Sequence, residues 1–243
     1  MTPNPVFRSS LFALLESYAP QLLAGPEAHI ALKPTLGMPR AGMVPIFGVL
    51  GSASDWFSDT SYERIRADVR RALADPQART IDLVIDSPGG SVLGLPETAD
   101  VISQANKTKP VVAHVTGIAA SAAYWLASQA SVITLTPSGE VGSVGVIDLS
   151  VDISKALESA GVKVTTVTAG PFKGERAPFV PLSDDAKAHM QESVNRWYGD
   201  FLSAIRRGRG ARVSPTSNYG GGRMLSAKDA LSQGLVDFIG GAL

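Results

Sequence analysis

One serine in this chain stands among small residues in a setting that could make it a nucleophile. Gly117-Ile-Ala-Ala-Ser-Ala-Ala-Tyr124 joins the apolar run Val111 to Val115 to the alanine-dense stretch Ala122 to Ala130. The run reads as a buried strand and the stretch as a helix, so Ser121 falls at or near a helix N-terminus. Two readings are open there. A serine most often caps the helix by accepting a backbone N–H. It can also attack a carbonyl beside oriented N–H groups that stabilise an oxyanion.

A second loop bears on that choice. Asp86-Ser-Pro-Gly-Gly-Ser91 directly follows the apolar run Thr80 to Ile85. At the carboxyl end of a parallel strand, ligands meet loops and helix N-termini. Paired glycines there let a backbone approach closely and free an N–H to point outward. If the two strands are neighbours, the N–H groups of Gly90 and Ala122 could converge on one point.

A serine nucleophile needs a base, and the three histidines fit poorly. His114 lies inside an apolar strand, His29 in an irregular stretch, and His189 on a long helix. A lysine can serve if burial lowers its pKa from ~10.4 toward neutrality. Lys155, Lys163, Lys173 and Lys187 follow Ser121. Ala169-Gly-Pro-Phe-Lys-Gly174 is an uncharged, glycine-bearing loop, which favours Lys173, although spacing alone does not choose.

The 243 residues carry 22 basic and 22 acidic side chains and 44% apolar residues, enough for one sizeable core with no overall field. Nucleic acid is therefore not an expected partner. Without cysteine there are no disulfides, thiolate metal sites or cysteine nucleophiles, and three histidines argue against a multi-histidine metal centre. No apolar run approaches the ~18 residues of a membrane span, and the first residues lack a signal-peptide pattern. A soluble, cytoplasmic protein without a membrane anchor is expected.

The elements that must position the site follow from periodicity. Phe7, Leu11, Leu14, Leu15 and Tyr18 share one helical face, so residues 7–24 are expected to be a helix broken at Pro20, followed by an irregular arm to Gly42. Residues 1–42 thus form an N-terminal helix and arm, and residues 43–243 the main domain. Within it, strands are expected at Val44 to Leu50, Thr80 to Ile85, Val111 to Val115, Val132 to Leu135, Val144 to Val151 and Val162 to Thr168. Helices are expected at Ser61 to Ala74, Leu95 to Gln104, Ala122 to Ala130 and Ser154 to Ser159, with a long one from Ser183 to about Arg207 and a short one from Ser226 to Gly234. This alternation implies an α/β fold with a largely parallel sheet flanked by helices. The arginine cluster Arg206 to Arg212 reads as a solvated helix end rather than a phosphate site. Gly220-Gly-Gly-Arg223 lacks the lysine of a phosphate-binding loop.

Four motifs in order resemble one family. They are Asp86-Ser-Pro-Gly-Gly-Ser91, Gly117-Ile-Ala-Ala-Ser-Ala-Ala-Tyr124, Gly142-Ser-Val-Gly-Val146 and Gly170-Pro-Phe-Lys173. Together they are similar to the signal peptide peptidase family of Ser-Lys serine peptidases, from about Val44 onward. Lys173-Gly-Glu-Arg-Ala-Pro-Phe179, Leu182-Ser-Asp-Asp185 and the tract from Leu225 to Asp237 resemble its bacteriophage head proteases, of the minor capsid protein C type. The resemblance implies a ClpP/crotonase-type fold. It also implies Ser121 as nucleophile, Lys173 as general base, Ser143 as the serine that holds the lysine amine, and Gly90 and Ala122 as oxyanion donors, with Gly89 and Ser91 against the substrate.

It further implies rings or domes in which serine and lysine come from neighbouring subunits. No metal or other cofactor is needed. The expected substrates are scaffold and capsid-assembly proteins inside an immature phage head, the protease's own precursor among them. The alternatives are a housekeeping signal-peptide or oligopeptide peptidase, and a non-catalytic structural head protein. One departure stands out: the family's usual Ser-Gly-Gly is Ser121-Ala122-Ala123 here, which narrows the pocket.

Overall fold

The computed structural model describes residues 11–14 and 41–240, apart from Trp56 and Pro215. Its centre is a sheet of four main strands: β2 (Met43–Gly51), β4 (Ile81–Ser91), β5 (Val111–Ala120) and β6 (Val132–Leu135). All their mutual pairings are parallel: β2 with β4, β4 with β5, and β5 with β6. Ile81, Leu83, Ile85, Val111, Ala113 and Val115 are buried. Such near-continuous apolar runs are what strands covered on both faces require.

Smaller strands extend the sheet. β3 (Thr60–Ser61) pairs with β2, and β10 (Phe238–Ile239) with β6, both parallel. β7 (Glu140–Gly142) runs parallel to the far end of β5 and antiparallel to β9 (Met224–Ser226). β8 is the short strand Ile147–Asp148.

The helices cover this sheet with the caps their sequences dictate. α1 (Tyr62–Ala74) is capped by Ser61, whose hydroxyl accepts from the Arg64 N–H, and it buries Ile65, Val69 and Ala72. α2 (Leu95–Asn106) buries Leu95, Ala99 and Ile102. α3 (Ala122–Ala127) is buried along all six residues. The short helices α4 (Ser154–Ser159) and α6 (Ala227–Ser232) fall close to their expected places. α5 (Asp184–Arg209) begins at Ser183, with Asp184 and Asp185 complementing the helix dipole. Its Phe201 ring stacks on Trp125 at 4.8 Å. At Gly208 a Cβ would lie 2.0 Å from the Ser128 carbonyl oxygen, so only glycine lets α5 approach the end of α3 this closely.

Four expectations are corrected. Leu11–Leu14 is a strand, β1, and not helix; the remainder of the helix expected over 7–24 and the arm to residue 40 lie outside the described residues. Its apolar spacing suits either element, and pairing decides for strand: β1 lies antiparallel between β4 and β8. The expected strand Val144–Val151 is reduced to β8, preceded by a turn. Val162–Thr168 forms no strand, because nothing among the described residues pairs with it, and Val162, Val164 and Val167 are exposed. The arginine cluster is not simply a solvated helix end. Arg209 is 1% exposed and makes paired 2.9 Å hydrogen bonds to both Asp237 carboxylate oxygens, while Arg206 donates to the Tyr219 hydroxyl at 3.2 Å.

Candidate active site

β5 ends at Ala120, and Ser121 turns the chain into α3 with φ 51° and ψ −118°. Positive φ is unusual for a residue with a Cβ and persists only where its surroundings impose it. Two hydrogen bonds fix the Ser121 backbone: its N–H donates to the Gly142 carbonyl at 2.8 Å, and its carbonyl accepts from the Trp125 N–H at 2.9 Å. Its side chain does not cap α3. Instead the hydroxyl points to the Gly145 carbonyl, 3.3 Å away. The capping reading is therefore excluded, and Ser121 is a buried hydroxyl held off its helix.

Two motifs seen in sequence converge on it. Ala120 pairs with Gly142 across β5 and β7, which sets the turn at Ser143 beside Ser121. Ser143 also has φ 51° and is 5% exposed, with its N–H bonded to the Arg223 carbonyl at 2.9 Å. Among the described residues its hydroxyl has no hydrogen-bond partner. On the other side, Ser87 pairs with Ala119, bringing the Gly89-Gly90 stretch to the same carboxyl end of the sheet.

That stretch is braced from several directions. The Ser87 hydroxyl donates to the Gly48 carbonyl at 2.6 Å and accepts from the Gly89 N–H at 3.1 Å. Tyr62 donates its hydroxyl to the Ser91 carbonyl at 2.5 Å, and the Ser91 hydroxyl accepts from the Leu93 N–H at 3.1 Å. Asp86 accepts from the Ile118 N–H at 3.0 Å, tying the two loops together. Sequence reasoning missed the parts of Tyr62, Asp86 and the Gly145 carbonyl. Asp86 and Gly145, each inside a quoted motif, carried a signal, and Tyr62 carried none.

Gly89 has φ 95°, which favours glycine. At Gly90 the reason is space: a Cβ would sit 1.8 Å from the Leu50 carbonyl oxygen. Gly90→Ala must push β2 and β4 apart where the site is built. We expect it to destabilise the fold by about 3 kcal/mol and to abolish any activity of the site, read by thermal unfolding and a peptide assay. A loss under about 0.5 kcal/mol, the range of an ordinary surface substitution, would show that this contact carries no weight.

Among the described residues, Lys173 makes no hydrogen bond to Ser121 or Ser143. Lys173 is exposed in a turn closed by its own N–H to the Gly170 carbonyl at 3.2 Å. Its amine has no hydrogen-bond partner among the described residues. The root of its loop is tied to the sheet, since Arg176 donates to Asp148 of β8 at 2.5 Å. In the same stretch of chain, Leu149, Ile153, Val164, Val167 (93% exposed) and Phe172 (63% exposed) leave apolar side chains uncovered.

The histidines are accounted for otherwise. His114 lies 3.3 Å from Asp82 and 3.1 Å from Thr134, at the end of β5 away from Ser121. His189 sits 3.5 Å from Glu175 on the surface, and His29 lies outside the described residues. Among the described residues no group of three or more metal-ligating side chains could hold an ion, and no helix is long and apolar enough to cross a membrane.

Comparison with known proteins agrees with this fold. The Clp protease model matches residues 54–134, and the peptidase family S49 model matches residues 103–242, more than half of the chain. The chain is 30% identical over 199 residues to the capsid assembly protease C of Escherichia phage lambda, covering 80% of this chain and 45% of that protein. It is 30% identical over 175 residues to protease 4 of Salmonella typhi, covering 72% of this chain and 28% of that protein. It thus spans about half, or less, of the curated relatives it matches. The fold is shared with a mutant of the 1510-N membrane-bound stomatin-specific protease, at TM-score 0.52 and 15% identity, covering 83% of this chain and 81% of the other. A mostly parallel sheet ending in braced glycine and serine turns, joined to a family match over both serines and the lysine loop, assigns the chain to peptidase family S49, a family of serine peptidases.

Proposed function

We propose that this chain is an endopeptidase in which Ser121 attacks the peptide carbonyl and Lys173 takes its proton and returns it to the leaving amine. The N–H groups of Gly90 and Ala122 hold the oxyanion, and Ser143 receives the lysine amine. An acyl-enzyme forms on Ser121 and is hydrolysed by water. The observation that carries this reading is the Ser121 hydroxyl: buried, at positive φ, not used as a cap, and beside Ser143, whose hydroxyl has no hydrogen-bond partner among the described residues.

A lysine acts as a base near neutral pH only where burial disfavours its charge. Lys173 is exposed in the isolated chain, so its enclosure has to come from assembly. The uncovered apolar residues between Leu149 and Phe172, with the valine run 162–167 that pairs with no strand among the described residues, supply a surface for a second copy. A homo-oligomer, ring or dome, in which one subunit's lysine serves its neighbour's serine is the arrangement we infer.

The similarity to the lambda protease supports capsid and scaffold proteins as substrates, with action inside an assembling phage head. A comparable identity to protease 4 of Salmonella typhi supports the second reading, a housekeeping peptidase acting on short apolar peptides. Initial rates on scaffold protein and on free apolar peptides, measured side by side with the same oligomer, separate the two.

The mechanism itself is tested by pH. Since the base works only when unprotonated, kcat/KM of the oligomer on a fixed peptide should climb between pH 5 and 9. A flat profile with chemistry rate-limiting would rule out a lysine base.

A further inference from the structure

The strand that carries Gly90 and the strand that leads into Ser121 do not stay in register. β4 and β5 pair residue for residue from Ile81 opposite Val111 to Ile85 opposite Val115. The next pair is Ser87 opposite Ala119, so Thr116, Gly117 and Ile118 all stand against Asp86 alone. β5 thus bulges just before it ends at Ala120, the residue ahead of Ser121. Bulges of this kind bend a strand, interrupt its ladder and re-aim the side chains that follow.

Side chains take up the backbone groups that the bulge frees. The Ile118 N–H donates to Asp86 Oδ1 at 3.0 Å. The Thr116 hydroxyl donates to the Ile85 carbonyl, and the Thr136 hydroxyl to the Thr116 carbonyl, each at 3.3 Å. Asp86 reaches Ile118 across Gly117, where a Cβ would lie 2.5 Å from the same Oδ1. The missing side chain of Gly117 is therefore the space in which the carboxylate sits. The same device stands on the other side of β4. There the register with β2 shifts between Phe47 opposite Asp86 and Val49 opposite Gly89. The Val49 N–H donates to Asp59 Oδ2 at 2.9 Å, again over a glycine, Gly48, whose Cβ would collide with that oxygen. Both irregularities fall at Asp86, and each is closed by a carboxylate seated over a glycine.

We propose that Asp86 is a positioning residue of this site: its carboxylate holds the β5 bulge at the offset that sets Ser121 against the Gly90 N–H. This rests on the peptidase reading above. Gly90 follows Asp86 along β4 and Ser121 follows Ile118 along β5, so the Asp86–Ile118 hydrogen bond ties the two approaches to the site together. Asp86 is exposed and makes this one hydrogen bond among the described residues, so the fold loses little without it. The rate loses more, because a misplacement of about 1 Å at the reacting groups costs on the order of 100-fold.

The test is kcat and KM of the assembled protein on one reporter peptide, with Tm and oligomeric state measured alongside. The variants are Asp86→Ala, Asp86→Asn, Gly117→Ala and the double variant Gly117→Ala/Asp86→Ala. Asp86→Ala should lower kcat by on the order of 100-fold with KM within about 3-fold, and leave Tm within about 3 °C of wild type. Asp86→Asn loses the charge but keeps an acceptor oxygen, and should hold kcat within about 5-fold of wild type. Gly117→Ala should be as slow as Asp86→Ala, because its methyl displaces the carboxylate. Added to Asp86→Ala it should cost less than about 2-fold more, since the space is already vacated. A kcat for Asp86→Ala within about 2-fold of wild type, an Asp86→Asn as slow as Asp86→Ala, or losses that multiply in the double variant would overturn the positioning role and leave the peptidase reading standing. An assembled wild type that hydrolyses no peptide would overturn both.

Discussion

Replacing Ser121 by alanine, or Lys173 by alanine, is expected to lower peptide hydrolysis by on the order of 10⁴-fold or more, with thermal stability and oligomeric state unchanged. Both members of a nucleophile and base pair are needed for one proton transfer, so either loss removes nearly the whole effect. The informative step is to mix the two inactive proteins. If serine and lysine meet between neighbours, a subunit with Ser121 next to a subunit with Lys173 makes a working site. In a randomly exchanged one-to-one mixture around a ring, half of the serine positions and half of the lysine positions are intact, so activity should return to about a quarter of wild type. No recovery after verified subunit exchange would show that both groups act within one chain, and the exposed position of Lys173 would then need a movement of its loop.

The largest stability effect is expected far from the serines, at Arg209. Its guanidinium is buried, pairs with both carboxylate oxygens of Asp237, and also donates to the Gly234 carbonyl at 3.2 and 3.0 Å. Asp237 in turn accepts from the Ile133 N–H at 2.7 Å, so the pair ties the end of α5 to β6 and the C-terminal strand. Arg209→Ala leaves a carboxylate without its partner and should cost about 3–5 kcal/mol, a drop of about 10 °C or more in Tm for a chain this size. Burial alone would raise the Asp237 pKa. Hydrogen bonds from Arg209 and the Ile133 N–H, with the charges of Arg209 and Arg212, outweigh it and hold the carboxyl below its ordinary value.

The sign of the pH dependence follows. A carboxyl with a depressed folded pKa contributes stability that is complete above its unfolded value near ~3.9 and is lost as pH falls through the folded value. The gap between wild type and Arg209→Ala should therefore be constant near neutrality and shrink in acid below about pH 4. A gap of under about 1 kcal/mol at pH 7, as for an exposed ion pair, would contradict the buried pairing.

Much of this was legible in the sequence for one physical reason: where burial is two-sided, residue type and element coincide. Ile81 to Ile85 and Val111 to Val115 could be little other than inner strands, and Ser61 and Ser183 announce the helices they cap. The glycines at 89 and 90 and the small residues around Ser121 mark a candidate site in the sequence itself. What could not be read depends on partners distant in the chain. Leu11 to Leu14 has spacing compatible with a helix, and only the edge of β4 makes it a strand. Val162 to Thr168 has the composition of a strand but, among the described residues, no neighbour to pair with. Arg209 looks like one more charge in a basic tail until Asp237, 28 residues on, folds against it. Lys173 was singled out as a type of residue in a type of loop. On the reading proposed above, what encloses it is a neighbouring subunit, about which a linear pattern says nothing.

The central claim is that Ser121 is a nucleophile activated by Lys173, and chemical labelling reaches it most directly. The size-fractionated oligomer is treated with a fluorophosphonate and the modified residue located by peptide mass spectrometry, alongside Ser121→Ala and Lys173→Ala. One phosphonyl group on Ser121, absent from both variants, is the predicted result. Labelling of another serine, or undiminished labelling of Ser121 when Lys173 is alanine, would contradict it.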